Sequence, residues 1–225
     1  MAPLPLARGC FHEDLGIWAW IAPHTAAAPR PALFLDRDGV IIEDPGYLCD
    51  PAAMVLIPGA TRLIAAANRR GIPVVIVTNQ AGIGRGYYGW NEFLQVEDAL
   101  AQALAAENAH LDAVFCCPYH REGVAPWNHP QHPARKPAPG MLLAAKQFIS
   151  VDLHRSWIVG DSFSDLLAGY HAGLRGGTHV LTGYGRGYRQ TVLEWQPSNF
   201  DLRLADSISD APEVLLTIEG TSVFS

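Results

Sequence analysis

Residues 32–39 read Ala-Leu-Phe-Leu-Asp-Arg-Asp-Gly, a short apolar run that meets a sharp acidic turn. We predict that the apolar run is a strand and that the acidic residues follow its end. Two carboxylates one residue apart at such a place, Asp36 and Asp38, can face one pocket, where one attacks as a nucleophile and the other transfers a proton. Gly39 permits the turn. The alternative is an ordinary turn, which the same residues also favour.

The chain beyond this stretch alternates predicted strands with predicted helices. Ile72–Val77 is a β-branched run of the kind buried on both faces in parallel sheets. Further strands are expected at Val114–Cys116, Trp157–Val159 and Thr178–Leu181, and helices at about 59–70, 91–107, 140–149 and 163–172, the second capped by Asn91. This alternation predicts an α/β fold, a doubly wound, Rossmann-like parallel sheet in three α/β/α layers with right-handed crossovers. Ligands of such sheets bind at the carboxyl ends of the strands.

The intervals between the candidate site residues limit the domain organisation. A loop, a helix and a strand already fill the interval from Asp36 to Thr78, and a helix, a strand and a loop fill that from Thr78 to Lys136. Neither interval has room for a separate cap domain. We therefore expect an open site, shaped by two loops at about 43–54 and 116–134.

The two ends of the chain carry weaker signals. Residues 1–30 are predicted to be an N-terminal extension without sustained periodicity, followed by a single domain over 31–225. Gly183-x-Gly185-x-Gly187 follows the last strand of the alternation and is interpreted as a flexible connection with no helix after it. The tail is expected to add a strand near Leu202–Leu204 and a helix from about 211.

Two further motifs follow predicted strands. Thr78-Asn79 places a hydroxyl and the N–H groups of a turn where a phosphate oxygen can bind, although a plain helix N-cap explains the same residues. Arg135-Lys136 lies before a Pro-x-Pro-Gly sequence. Lys136 could neutralise a phosphoryl group and Arg135 could bind another substrate oxygen, whereas an isolated basic pair is commonly a solvated surface.

The fourth motif is Gly160-Asp161-Ser162-x-x-Asp165. Asp161 could join Asp36 in holding Mg²⁺, a hard cation that favours oxygen ligands. A capped helix start with an Asp165 salt bridge is the alternative. Each motif has such an explanation alone, but four of them in this order, each at a strand end, together favour one site.

Composition limits the class of protein and of partner. The formal net charge is −6 with nine His counted as neutral, 49% of residues are hydrophobic and 17% charged, which excludes a disordered or coiled-coil protein. No basic cluster exceeds the pair Arg69–Arg70, so nucleic acid and membrane partners are not expected. The four cysteines are too few for a disulfide scaffold, and the first thirty residues lack the pattern of a signal peptide. We expect a cytoplasmic protein, monomeric or homodimeric.

The four motifs resemble those of the haloacid dehalogenase (HAD) superfamily of phosphohydrolases over about residues 31–185. Three longer sequences, 34–41, 78–86 and 135–141, are similar to the D-glycero-D-manno-heptose-1,7-bisphosphate 7-phosphatase family. Related histidinol-phosphatase domains share much of this pattern. The resemblance implies a phosphatase for a small sugar phosphate or bisphosphate. Another phosphorylated metabolite, such as histidinol phosphate, and a non-catalytic phosphosugar-binding protein stay open as alternatives.

The same resemblance implies a role for each matched residue. Asp36 would form an aspartyl-phosphate and Asp38 would act as acid and then base, while Thr78 and Lys136 would stabilise the transferring phosphoryl. Mg²⁺ would be held by Asp36, the backbone carbonyl of Asp38, and Asp161. The residues implied to contact substrate are Asp44, Tyr47, Thr78, Asn79, Gln80, Ala81, Arg135, Lys136 and Ser162. Ser162 stands where the family often has Lys, so the site has one positive charge fewer.

A structural zinc is common in the second loop of this family, but two of its four ligands are missing here. Cys117, His120, His129 and His132 have an acceptable spacing for a replacement site. We favour instead a loop held by packing of Trp127, Tyr119 and Pro126, and therefore expect Mg²⁺ as the cofactor.

Overall fold

The computed structural model describes residues 9–23 and 28–219. Its eight described strands are β1 (Cys10–His12), β2 (Ile17–Ile21), β3 (Leu33–Leu35), β4 (Val74–Asn79), β5 (Ala113–Cys117), β6 (Trp157–Gly160), β7 (Gly176–His179) and β8 (Asp201–Leu204). Its seven described α-helices are α1 (Ala60–Arg69), α2 (Ala81–Gly84), α3 (Trp90–Ala106), α4 (Gly140–Ile149), α5 (Phe163–His171), α6 (Gly185–Glu194) and α7 (Glu213–Glu219).

All eight strands join one sheet in the order β1-β2-β5-β4-β3-β6-β7-β8. The six strands from β5 to β8 in that order run parallel, and β3 lies between β4 and β6, with Phe34 opposite Val75 on one side and Ile158 on the other. The chain thus crosses over in both directions from β3, and the predicted doubly wound α/β fold is confirmed. The carboxyl ends of β3, β4 and β6 meet at the centre of one sheet edge.

Each face of the sheet is covered by helices. Alternate residues of a strand point to opposite faces, so Leu33 and Leu35 pack with apolar residues of α1, α3 and α7, whereas Phe34 packs with those of α4, α5 and α6. These are the predicted three layers. No separate cap domain interrupts the sheet between β3 and β6 in this part of the structure.

Part of the segment 1–30 belongs to the sheet. Strands β1 and β2 form an antiparallel hairpin, and β2 pairs antiparallel with β5, with Trp18 opposite Cys116. Trp18 is buried and packs edge-on against Phe93. Sequence periodicity did not predict these strands because they are three and five residues long. Residues 1–8 and 24–27 of this segment lie outside the described residues.

Several predicted boundaries are corrected. Helix α3 begins at Trp90 rather than after Asn91, and its N-cap is Gly89, whose backbone N–H donates to the carboxylate of Glu92. The residues after Gly183 were interpreted as a connection without a helix, but α6 begins at Gly185. Gly183 has a positive φ of 55°, which ends the loop and starts the helix. Of the described helices, none is long and apolar enough to cross a membrane.

Candidate active site

One cleft of about 670 Å³ opens at the carboxyl ends of the central strands. Every residue predicted to be catalytic, to bind substrate or to hold the metal lines it: Asp36, Asp38, Asp44, Tyr47, Thr78, Asn79, Gln80, Ala81, Arg135, Lys136, Asp161 and Ser162. The four motifs come together because β3, β4 and β6 are neighbours, although they lie far apart in the chain.

Asp36 follows β3 directly and has one free carboxylate oxygen. Its Oδ1 accepts the backbone N–H of Arg37 at 2.7 Å and lies 2.9 Å from Nζ of Lys136. Its Oδ2 has no hydrogen-bond partner among the described residues. Burial raises the pKa of Asp36 well above its ordinary value, Lys136 lowers it, and the neighbouring carboxylates raise it further. An unpaired oxygen facing the cleft is the geometry that a nucleophile requires.

Lys136 is buried, and three oxygen atoms surround its ammonium group. Nζ lies 2.6 Å from Oδ1 of Asp165 and 2.9 Å from Oδ1 of Asp36, and it donates to the carbonyl of Val77 at 2.8 Å. Burial alone lowers the pKa of Lys136, but the two carboxylates outweigh it, so the pKa is raised and the ammonium stays charged. The basic pair Arg135-Lys136 is therefore not a solvated surface at Lys136.

Asp161 is held by the loop that follows β7. Its Oδ2 accepts the backbone N–H of Tyr184 at 2.7 Å, and its backbone carbonyl lies 2.8 Å from Nε2 of His179. A Cβ at Gly183 would overlap Oδ2 of Asp161 and lie 2.7 Å from Cα of Gly39, so this loop packs closely against the first acidic turn. Burial, followed by the charge of Asp165, raises the pKa of Asp161 to about 7.

Three carboxylates lie close together, and Asp36 and Asp161 are the candidate cation ligands, because Ser162 and Lys136 engage the two oxygens of Asp165. Ligand oxygens of Asp36, Asp161 and Asp165 lie within 4.8 Å of one another, and they are the single group of three or more such residues in the described structure. Their crowding in a buried place raises the pKa of Asp36 and Asp161, and a divalent cation would offset that repulsion. An all-oxygen donor set fits Mg²⁺.

The capped helix start and the Asp165 salt bridge, one of the two interpretations of the fourth motif, are present. Ser162 caps α5 by accepting the N–H of Ser164, and Asp165 Oδ2 accepts the N–H of Ser162, which is a capping box. The other oxygen of Asp165 pairs with Lys136. Asp165 therefore fixes the helix start and the lysine at once.

The polar residues at the carboxyl end of β4 form hydrogen bonds within the protein. The side-chain amide of Asn79 bonds both backbone groups of Lys136, each at 3.1 Å, and Gln80 donates to Oγ1 of Thr78 at 2.7 Å. Asn79 and Gln80 thus organise the site, while Thr78 is buried at the cleft wall. The N-cap alternative for Thr78-Asn79 is wrong, because both residues belong to β4.

The loops supply the outer part of the cleft. Asp44 accepts the N–H of Gly46, and Tyr47 has 43% of its surface exposed and receives a hydrogen bond of 2.7 Å from Arg85. Burial raises the pKa of Asp44. Arg135 donates to the carbonyl of Tyr119 at 3.0 Å, which ties it to the second loop.

The second loop is organised by rings. The rings of Tyr119 and His132 stack at 3.8 Å, and Trp127 packs edge-on against Tyr119. Pro126 was expected in this packing but is exposed, so it contributes little. Cys117 is buried in the core, and Nδ1 of His132 accepts the N–H of Ala134.

The structure does not bring Cys117 together with His120, His129 and His132 as a ligand group, within the residues it describes. Burial raises the pKa of the Cys117 thiol to about 11. The absence of a structural zinc from this loop stays a prediction.

Sequence reasoning missed two parts of the site. The loop at Gly183–Tyr184 follows strand β7 at the same sheet edge as the other motifs, which was the available signal. The second part is a buried pair, Arg37 with Glu97 on α3. Glu97 lies on the apolar stripe formed by Phe93, Leu100 and their neighbours, and a lone charge on such a stripe was the signal.

Comparisons with known proteins point to one family. A profile described as HAD-hydrolase-like matches residues 133–211. The D-glycero-beta-D-manno-heptose-1,7-bisphosphate 7-phosphatase of Mesorhizobium japonicum is 52% identical over 147 residues, which cover 65% of this chain and 68% of that protein. The D-glycero-alpha-D-manno-heptose-1,7-bisphosphate 7-phosphatase of Burkholderia mallei is 44% identical over 150 residues, covering 67% and 78%.

A solved structure extends the likeness to most of the fold. The D,D-heptose 1,7-bisphosphate phosphatase of B. bronchiseptica, complexed with magnesium and phosphate, superposes with a TM-score of 0.70. It is 32% identical, and the match covers 83% of this chain and 98% of that one.

Proposed function

This chain belongs to the HAD-like family of heptose-bisphosphate phosphatases and is a phosphatase, and we propose that it removes the 7-phosphate of D-glycero-D-manno-heptose 1,7-bisphosphate with Mg²⁺. One observation carries the proposal. Asp36, Lys136 and Asp161 converge in one cleft, in a chain 52% identical to a phosphatase named for that substrate. The alternative of a non-catalytic binding protein is set aside, since the relatives are phosphatases and both Asp36 and Asp38 are retained.

In the proposed reaction Asp36 and Asp38 divide the work. Oδ2 of Asp36 attacks phosphorus, the bond from phosphorus to the sugar oxygen breaks, and Asp38 gives that oxygen a proton. Asp38 then takes a proton from a water molecule whose oxygen attacks the aspartyl-phosphate, which releases phosphate and restores Asp36. Each step balances, because the proton lent by Asp38 returns to it.

The other residues stabilise charge. Lys136 and Thr78 lie beside Asp36 and would face the phosphoryl oxygens, where fixed charges and dipoles lower the barrier. Mg²⁺, held by Asp36, Asp161 and the carbonyl of Asp38, would supply positive charge against the same oxygens. The proposed contacts of Asp44, Tyr47 and Arg135 with the substrate are supported by their position in the wall of the cleft.

A substrate panel tests the proposal. We would measure phosphate release from both anomers of heptose 1,7-bisphosphate, a hexose bisphosphate and histidinol phosphate, with Mg²⁺ or EDTA, and identify the lost phosphate by ³¹P NMR. We expect one heptose anomer to be hydrolysed far faster than the other substrates, at position 7 only, and only with Mg²⁺. Comparable rates for all substrates, or a preference for histidinol phosphate, would contradict the assignment. The two anomers are included because the relatives are named for different ones. A cytoplasmic location and a monomeric or dimeric state stay predictions.

A further inference from the structure

Arg37 stands between the two site aspartates in the chain and is paired inside the protein. It has 1% of its surface exposed, and Nη1 donates to Oε1 of Glu97, which is fully buried, at 2.7 Å. The guanidinium lies over the ring of Phe93 at 5.7 Å. A buried ion pair is commonly no more stabilising than apolar side chains of similar volume. Stability alone therefore does not explain this pair.

The opposite edge of the same guanidinium holds Asp38. Nε lies 3.1 and 3.2 Å from the two carboxylate oxygens of Asp38, and Nη2 lies 2.9 Å from both. Both nitrogens on this edge contact both carboxylate oxygens, so several charge-assisted contacts hold Asp38 on the guanidinium at once.

A second contact fixes Asp38 from another side. Nε2 of Gln80 donates to Oδ2 of Asp38 at 2.8 Å, and the hydroxyl of Tyr88 donates to Oε1 of Gln80. The tyrosine thereby determines which end of the amide faces Asp38. The side chain of Asp38 keeps 20% of its surface exposed, on the cleft.

Only one of the two carboxylate oxygens of Glu97 has a hydrogen-bond partner among the described residues. Oε1 binds Arg37, and Oε2 has no hydrogen-bond partner among the described residues. Its carboxylate therefore serves the arginine, and through it Asp38, rather than a wider network.

We propose that Arg37 and Glu97 are positioning residues for Asp38: Glu97 fixes the guanidinium, and the guanidinium fixes the carboxyl group for proton transfer at the leaving oxygen. The proposal rests on the role given to Asp38 in the proposed function. A carboxyl group that is held in one orientation loses less conformational entropy when it reaches the geometry for proton transfer to the leaving oxygen. Neither Arg37 nor Glu97 needs to touch the substrate.

The test compares two leaving groups. A sugar alkoxide needs a proton to depart, whereas 4-nitrophenolate leaves without one. Because kcat/KM covers the steps up to the first irreversible departure, it reports this proton transfer. We expect Glu97→Gln to lower kcat/KM for heptose 1,7-bisphosphate by about 10–100-fold and for 4-nitrophenyl phosphate by less than about 3-fold. Arg37→Lys should give the same pattern, and Glu97→Asp should recover part of the loss.

Three controls make the result interpretable. Asp38→Asn removes the acid itself, so it gives the largest difference between the two substrates in the loss of kcat/KM. Glu92→Gln makes the same replacement at an exposed position of the same helix and should leave both substrates unchanged. The double variant Arg37→Met/Glu97→Met removes both buried charges together and keeps the fold testable if a single variant unfolds.

The outcomes separate the two proposals. If Asp38→Asn discriminates between the leaving groups but the Glu97 and double variants slow both substrates equally, or neither, the positioning role is wrong and the proposed function stands. If Asp38→Asn itself slows both substrates equally, the acid role fails and the positioning role fails with it. The substrate preference of the wild-type enzyme on the panel is measured separately and tests only the proposed function.

Discussion

The cleft has two halves that are built in different ways. The inner half, beside the carboxyl ends of β3, β4 and β6, consists of buried ionisable groups such as Lys136 and Asp161, each held by two or more contacts. The outer half consists of loop residues, of which Tyr47 is 43% and Tyr184 62% exposed. We propose that the sheet positions the catalytic residues, whereas the loops select the substrate.

The sharpest test of this division is Asp36→Asn. It removes the attacking oxygen of the inner half and keeps the shape of the side chain, so kcat should fall by about 10⁴-fold or more. Because the pKa of Asp36 is raised, the neutral amide should not lower the melting temperature. Steady-state assays and thermal melts check both. Activity within tenfold of wild type would contradict the division.

Lys136→Met should damage both activity and stability. It leaves Asp165 buried without its cation, which costs about 3–5 kcal/mol in the free energy of unfolding, and lowers kcat by about 10²–10³-fold. Urea unfolding and kinetics measure the two effects. Lys146→Met, an exposed lysine on α4, is the matched control and should change neither. Equal effects of the two variants would refute the inner-half account.

Metal and pH should act together on stability. Burial raises the pKa of Asp161 to about 7 from an unfolded value near 3.8, so the native state binds the extra proton and stability falls as pH rises through that window. Mg²⁺ favours the ionised carboxylates. It should therefore raise the melting temperature by about 5 °C near pH 8 and by less than about 2 °C near pH 5.

Differential scanning fluorimetry with and without Mg²⁺ measures this difference. Asp161→Asn should remove most of it, since the group that titrates is gone. Equal Mg²⁺ effects at both pH values in the wild-type protein would show that these carboxylates do not form the cation site.

The smallest effect is expected in the outer half. His132→Ala removes the stack on Tyr119, which is worth about 1 kcal/mol, so the melting temperature should fall by about 2–4 °C. KM for heptose 1,7-bisphosphate should rise while kcat for 4-nitrophenyl phosphate stays within about twofold. His154→Ala, at an exposed position away from the cleft, is the control.

Metal analysis of untagged protein sharpens the same comparison. We expect no stoichiometric zinc, because aromatic packing of Tyr119, Trp127 and His132 holds the second loop. A full equivalent of zinc that His132→Ala abolishes would show that the loop is a metal site after all.

Most of the inner half could be predicted from the sequence because its motifs follow short apolar runs. Parallel strand ends share one sheet edge, so Asp36, Thr78 and Asp161 had to meet if the alternation was right. Lys136 does not follow a strand directly, and the second loop brings it back to that edge. The positions of α1, α3, α4 and α5 followed from periodicity to within a few residues, whereas α6 did not.

The features that could not be predicted depend on tertiary contacts. The pairing of β2 with β5, the stack of Tyr119 on His132 and the packing of Gly183 against Gly39 join segments whose local sequence carries no periodic signal. The Arg37–Glu97 ion pair could not be predicted for another reason. The two residues are far apart in the chain, and only the packing of α3 on the sheet brings them together.

The most direct test of the central claim is to trap the phosphorylated enzyme. Excess protein would react with heptose 1,7-bisphosphate carrying ³²P at position 7 and be quenched in acid after a fraction of one turnover. We predict protein-bound label that appears and decays, is released by hydroxylamine as an acyl phosphate should be, and is absent from Asp36→Asn. Label that persists in Asp36→Asn, or product formed by the wild type without any bound label, would contradict the account.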